Sequence, residues 1–172
     1  YNKDHLPTST TDAEGNTNRI TYDGPWISSI TDAEGNRTEL HYNAHGQISS
    51  IVDAKGGVTR YTYDLDGWTT QEQLPDGAAT EYLYSDGGYV TAITDPNGAV
   101  SQFEYAPTGW ITMGTDPLGG TLTMTYDNVG NKLSETDARG VTVSYTYDSM
   151  NRVSTVTDGD GNTTSYEYDA LG

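Results

Sequence analysis

The sequence has no cysteine in its 172 residues, so it builds no disulfide framework and its redox compartment cannot be read. It is short of cations: 8 Lys and Arg face 25 Asp and Glu, a net charge of −17. That balance excludes nucleic acid, which is bound mainly by Lys and Arg on phosphate, and it equally disfavours an anionic membrane surface. No apolar run approaches the roughly 20 residues of a membrane helix, and no signal peptide is present. There is no Gly-rich phosphate loop. The three histidines, His5, His41 and His45, lack the spacing of metal ligands, so neither a metal nor a cofactor is expected. Carboxylates for acid–base chemistry are plentiful, but most Asp residues stand at turn positions, and the chain is not expected to be an enzyme.

What the sequence does contain is a repeat. Tyrosines recur at Tyr1, Tyr22, Tyr42, Tyr63, Tyr84, Tyr105, Tyr126, Tyr147 and Tyr168, in steps of 21 residues with a single step of 20. Glycines keep the same interval at Gly15, Gly35, Gly56, Gly77, Gly98, Gly119, Gly140 and Gly161. The one short step falls at Tyr22-Asp23-Gly24-Pro25-Trp26, in a turn, where a length change costs least. A period of this length marks a repeat architecture. The chain reads as one array, 1–172, of about eight units. It opens and closes inside its repeat, and is expected to be a fragment of a longer protein.

Each unit has four parts. The first is a turn of the form Asp-x-x-Gly, as at Asp53 to Gly56 and Asp137 to Gly140. Asp at the first position bonds back to the backbone, and Gly at the fourth accepts a left-handed conformation. Leu74 replaces the Asp once, which predicts the least well capped turn. The second part is a strand leading to the tyrosine. Two residues before each stand Ile20, Leu40, Tyr61, Tyr82, Phe103, Met124, Tyr145 and Tyr166, with mostly polar residues between. Such alternation is the signature of a half-buried strand. The third part is a second turn, as at Asp64 to Gly67, and the fourth a return strand. There the apolar residues are spaced by three, as in Ile27 with Ile30 and Ile48 with Ile51. Strict alternation gives two or four, so the spacing predicts a bulge.

Turns this short force neighbouring strands antiparallel. The fold class is therefore all-β, a continuous antiparallel meander of 21-residue hairpins with roughly sixteen strands, two per repeat. So wide a sheet accumulates twist and is expected to curl into a spiral or shell segment, with the tyrosine face inward. The tyrosines are expected to be buried, their rings stacked repeat on repeat and their hydroxyls bonded to backbone or Asp. The outermost strands present unpaired edges, through which the fragment is expected to self-associate.

Two constellations stand out as candidate sites. Trp26, Trp68, Tyr89 and Trp110 share one repeat position, beside Ile27, Val90 and Ile111, and strand parity points them to the opposite face. They either cover neighbouring turns or pack on adjacent hairpins, or they form an exposed stripe that binds carbohydrate, a toxin segment or another chain. Asp158-Gly159-Asp160-Gly161-Asn162 faintly resembles a calcium loop, but lacks its distal Glu and is explained as one more turn.

The recurring Tyr-Asp-x-x-Gly followed by Thr-Asp-x-x-Gly resembles the tyrosine-aspartate repeat of Rhs proteins, which also occurs in toxin-complex shell subunits, wall-associated toxins and teneurins. Tyr22-Asp23, Tyr63-Asp64, Tyr126-Asp127, Tyr147-Asp148 and Tyr168-Asp169 keep the literal pair, whereas Asn2, Asn43, Ser85 and Ala106 depart from it. The resemblance covers the whole chain. It implies a sheet wound into a hollow shell on a secreted or cell-surface protein, enclosing that protein's own C-terminal toxin or cargo domain. The family's terminal core with its Asp-Pro cleavage site is not visible: Asp95-Pro96 and Asp116-Pro117 are ordinary repeat turns.

Overall fold

The computed structural model describes residues 1–169, and among these every regular element is a strand. The chain forms two compact units, meeting between Glu81 and Tyr82. The first holds β1 (Ser9–Thr11), β2 (Thr17–Asp23), β3 (Trp26–Thr31), β4 (Arg37–Tyr42), β5 (Ile48–Val52), β6 (Val58–Tyr63) and β7 (Thr69–Gln73). The boundary falls within β8 (Ala79–Tyr84). The second holds β9 (Val90–Thr94), β10 (Val100–Tyr105), β11 (Ile111–Thr115), β12 (Thr121–Tyr126), β13 (Lys132–Thr136), β14 (Thr142–Tyr147), β15 (Val153–Thr157) and β16 (Thr163–Ser165). Strand order in the sheet is chain order, from β1 to β16. This is the open antiparallel meander that alternation and turn spacing require.

Within the first unit Ile20 pairs with Ile30, Leu40 with Ile51 and Tyr61 with Glu72. Within the second, Phe103 pairs with Gly114, Met124 with Glu135 and Tyr145 with Val156. Each of these hairpins shifts register just before its tyrosine. Thr21 opposes Ser29 while Tyr22 opposes Ile27, so Ser28 is the extra residue. Ser49, Thr70, Thr112, Leu133 and Ser154 are extra in the same way. The bulge is what lets residues spaced by three share one face, since directly paired residues point to the same side.

The sheet therefore has a tyrosine face and a hydroxyl face. On the second, Thr21 Oγ1 lies 2.7 Å from Ser29 Oγ and 3.0 Å from Ser28 Oγ. Thr146 makes the same pair of contacts with Thr155 and Ser154, at 2.7 Å each. Among the described residues only Ser29 (1% exposed) and Ala92 (7%) are fully buried. Both are small, central and on the hydroxyl face, beside longer side chains such as Glu39 and Gln102. A single layer has no opposing layer to bury its apolar face, and the usual two-layer core does not form. The tyrosines between the chain ends are accordingly half-buried rather than buried as the sequence predicts.

Both turns of each repeat use one geometry, which the sequence presents as two. At Asp137 the Gly140 N–H donates to the Asp137 carbonyl at 2.9 Å, and the Asp137 N–H donates to the Val141 carbonyl at 3.0 Å. Asp137 Oδ1 accepts the N–H groups of Arg139 and Val141, each at 2.9 Å. After the tyrosine, Asp64 Oδ1 takes the N–H groups of Asp66 and Trp68 in the same way, at 3.0 and 2.9 Å. The shortened turn is different. Asp23 pairs directly with Trp26, leaving the two-residue loop Gly24-Pro25. Gly24 has φ 57°, and proline's fixed φ suits the next position, as in the tight turn that matches strand twist.

Candidate functional site

The repeated structure is held by the tyrosine hydroxyls. Six of them donate to the carbonyl fifteen residues earlier: Tyr22 to Pro7 (2.8 Å), Tyr42 to Ile27 (2.9 Å), Tyr63 to Ile48 (2.7 Å), Tyr105 to Val90 (2.7 Å), Tyr147 to Lys132 (2.8 Å) and Tyr168 to Val153 (2.8 Å). Apart from Pro7, which precedes β1, these carbonyls lie at or next to the start of the preceding return strand, and those of Ile27, Ile48, Lys132 and Val153 stand beside its bulge. The hydroxyl thus ties one hairpin to the previous one where the ladder is interrupted. Tyr126 is the exception: its hydroxyl meets Met124 Sδ at 3.6 Å. Tyr1 is exposed.

The aromatic position does not obey strand parity. Trp26 lies on the Tyr42 ring (centroids 5.4 Å apart), Tyr89 on Tyr105 (5.0 Å) and Trp110 on Tyr126 (5.5 Å). The ring partners of Tyr42, Tyr105 and Tyr126 are thus not other repeat tyrosines, contrary to the expected repeat-on-repeat stack. Tyr89 and Trp110 stand in the turns before β9 and β11, and Trp26 is the first residue of β3, so the alternation within each strand does not fix where these rings lie. The same rings also cover the turn glycine of the next repeat. A Cβ on Gly46 would come within 2.6 Å of Trp26, and one on Gly130 within 2.8 Å of Trp110; one on Gly109 would overlap the Tyr89 hydroxyl. Where the position is polar, a hydrogen bond or a cation–π contact takes over. Gln47 Nε2 donates to the Gly67 carbonyl at 2.8 Å, Asn131 Nδ2 donates to Asn151 Oδ1 at 3.0 Å, and Arg152 lies over the Tyr168 ring at 4.3 Å. Trp68 also has a partner in the structure. Trp26 and Tyr89 keep 46% and 42% of their surface exposed.

Charged residues also reach the tyrosine face, which sequence reasoning missed. Glu72 and Glu135 occupy the place held elsewhere by Ile30, Ile51, Ile93 and Val156. The signal was available, since these positions are all 21 residues apart. Tyr61 Oη donates to Glu72 Oε1 and Tyr145 Oη to Glu135 Oε1, both at 3.2 Å. Lys132 Nζ pairs with Glu135 at 2.5 Å and lies 5.0 Å from the Tyr145 ring centre. Loss of solvation, followed by the neighbouring carboxylate, pushes both phenols above their usual range. The hydrogen bond between Lys132 and Glu135 raises the ammonium and lowers the carboxyl.

The turn carboxylates are spent on the backbone. Asp158 Oδ1 accepts the N–H groups of Asp160 and Asn162, and Oδ2 accepts Asn162 Nδ2. Its oxygens therefore serve the turn, as they do in the other repeats. Among the described residues no group of three or more acidic or histidine side chains is placed to hold a metal. Leu74 is not the weakest cap, since Asp76 Oδ1 accepts the Ala78 N–H at 3.0 Å. Ala106 has no side-chain acceptor at all and closes its turn by backbone bonds alone. Ala106→Asn should supply the missing acceptor and raise stability by about 1 kcal/mol. Urea titration is the check, and a midpoint that falls would remove the side chain's role in the turn.

These bonds depress the carboxyls. Asp12, Asp32 and Asp158 are lowered first by the side-chain amide of Asn16, Asn36 or Asn162, Asp137 first by the Arg139 side chain, and Asp95 and Asp148 first by backbone N–H groups. A carboxyl lower in the folded than in the unfolded chain adds stability above its ordinary value of 3.8, lost as pH falls through the folded values. Acid also relieves the repulsion of a net charge of −17, which acts in the opposite sense. At about 1 M salt the screening length is about 3 Å and that repulsion is suppressed. Under those conditions the urea midpoint should fall steadily below pH 4. A midpoint flat down to about pH 2 would mean the turn bonds are no stronger than bonds to water.

The RHS Repeat family model matches residues 23–58, 42–79, 63–100 and 126–163, more than half of the chain. The chain belongs to this family. Its repeats share a fold with solved toxin-complex structures. The crystal structure of TcdB2-TccC3-TEV aligns over 99% of this chain and 11% of its own, with a TM-score of 0.80 and 18% identity. The Tc holotoxin pore of Photorhabdus luminescens, with a mutated TccC3, aligns over 90% and 10%, with a TM-score of 0.71 and 19% identity. The RHS-repeat chain therefore spans about a tenth of the length of those chains. No curated protein matches it.

Proposed function

We propose that this chain is a wall segment of an RHS-repeat shell that encloses the C-terminal toxin or cargo domain of a longer protein, secreted or displayed at the cell surface. The single observation that carries this reading is the hairpin-to-hairpin tie. The hydroxyls of Tyr22, Tyr42, Tyr63, Tyr105, Tyr147 and Tyr168 close on the previous hairpin, which makes a sheet that can extend by adding like units. The functional groups of the repeat, namely tyrosine, turn Asp and turn Gly, are consumed in holding it together. The chain is a structural element and contributes no catalysis. The likeness to chains that include TccC3 supports the same reading.

The test uses the parent protein with its C-terminal domain. Protease should leave that domain intact while the shell is folded and digest it once the shell is unfolded by acid or urea. Digestion at the rate of the separated domain would sink the proposal. The half-exposed rings of Trp26 and Tyr89 favour a second reading, carbohydrate binding on the open ring face. A blue-shifted tryptophan emission on adding oligosaccharide is its expected result; an unchanged spectrum leaves the rings only their packing on Tyr42 and Tyr105.

A further inference from the structure

One place on the tyrosine face lacks the side chain its neighbours carry. Across the second unit the return-strand position facing Phe103, Met124 and Tyr145 is Gly114, Glu135 and Val156. The backbone does not require glycine there, since Gly114 is not among the residues at positive φ. Nor does crowding: an added Cβ would meet only Phe103 Cδ1, at 3.9 Å. Glycine inside a strand weakens it and often marks close approach by another chain. The position opens into a cavity of about 450 Å³ between Phe103 and Leu122, edged by Ser101, Thr121 and Asp116 and, from the next turn, by Ala138 and the Asp137–Arg139 ion pair (2.8 Å), whose charges cancel and leave Asp116 as its net charge. Leu122 is 41% exposed at its mouth. Asp116 Oδ1 is held by the N–H groups of Leu118 and Gly120, and among the described residues Asp116 is in no ion pair. An apolar hollow beside an unpaired carboxylate, on a chain of net charge −17, suits a cationic partner with an aliphatic side chain.

We propose that the Gly114 notch receives a leucine or isoleucine side chain from a basic segment of the enclosed polypeptide, with Asp116 facing a flanking Lys or Arg. This rests on the shell reading for the origin of the segment, but not for the chemistry of the notch. The side chain would stand where Ile30, Ile51 and Val156 stand opposite Ile20, Leu40 and Tyr145 in their own repeats. The notch would thus give the wall a side-chain-sized hold at a defined repeat, on a surface that is otherwise periodic.

The probe is a fluorescein-labelled pentapeptide, acetyl-Lys-Lys-Leu-Lys-Lys-amide, titrated into this chain, with binding read by anisotropy and by the Leu122 methyl resonances. Saturable binding that shifts those resonances is expected, weakening with salt. Exchanging the peptide's leucine for serine should weaken binding about tenfold, the factor that accompanies loss of about two buried methylene groups, and exchanging its lysines for glutamates should weaken it at least as much by reversing the charge that meets Asp116. Gly114→Val fills the notch where the backbone has room for it. It should raise the melting temperature while weakening the lysine–leucine peptide by about tenfold. Asp116→Asn keeps the turn acceptor and should lower affinity for the basic peptide alone. No saturable binding, undiminished binding to Gly114→Val, or equal binding of the glutamate peptide overturns the notch. Those results leave protease protection in the parent untouched. Loss of that protection with peptide binding intact overturns the shell and not the notch.

Discussion

Tyr63→Ala should destabilise the array by roughly 3 kcal/mol. A fully buried aromatic costs about 3 to 5 kcal/mol when truncated, and a half-buried one proportionately less, with about 1 kcal/mol added for the hydroxyl's bond. Two phenylalanine variants separate the terms. Tyr63→Phe keeps the ring and removes only the 2.7 Å bond to the Ile48 carbonyl, and should cost about 1 kcal/mol. Tyr126→Phe should be close to neutral, because that hydroxyl meets a thioether sulfur, a weak acceptor, at 3.6 Å. Tyr1→Ala, at an exposed residue near the chain end, should change little. Urea midpoints of the four variants are the measurement. Equal losses at Tyr63→Phe and Tyr126→Phe would show that the hydroxyl-to-carbonyl tie does not hold the hairpins together.

The contrast between Tyr63 and Tyr126 marks where sequence legibility stops. Both tyrosines keep the interval and precede Asp, and the one nearby difference, Met124 where Tyr63 has Tyr61, does not by itself announce that the hydroxyl turns to the sulfur. The difference lies in where a hydroxyl fifteen residues downstream of a carbonyl comes to rest. The strands were legible because alternation in runs such as Val141 to Tyr147 and the Asp-x-x-Gly turns act locally. The bulge was legible too, since Ile27 and Ile30 can share a face only if Ser28 is extra. Burial was not legible. Alternation states which residues share a face but not whether a second layer covers it, and here Ile20, Leu40 and Phe103 remain half-exposed. The direction of Trp26, Tyr89 and Trp110 was lost because parity was extended to a position at or just before the first residue of the return strand, where alternation no longer governs it. Glu72, Gly114 and Glu135 were overlooked although they stand in register with Ile30. The apolar spacing in the other repeats invited reading that position as uniformly aliphatic.

Gly130→Ala should cost roughly 2 to 3 kcal/mol, and Gly140→Ala about 1 kcal/mol. Both glycines sit at positive φ, 98° and 81°, where a Cβ clashes with its own backbone by about 1 to 2 kcal/mol. Around Gly140 an added Cβ finds nothing within 4 Å, so backbone strain is the whole cost. Around Gly130 it lies 2.8 Å from Trp110 Cζ2, and the indole must leave its place on Tyr126. Such a ring pair is worth about 0.5 to 1.5 kcal/mol beyond its buried area. In a Trp110→Ala background the obstruction is gone, and Gly130→Ala should fall to the cost of Gly140→Ala. The difference, a coupling of about 1 to 2 kcal/mol, measures the contact between one repeat's ring and the next repeat's turn. An additive cycle would mean that the ring moves aside freely and that the tyrosine hydroxyls and strand ladder carry the link alone. A coupled one makes the turn glycine serve twice, once for its backbone and once for the ring above it. It would also explain why Asn151, in the same turn position at φ 60°, follows a repeat whose polar Asn131 donates to it instead of covering it.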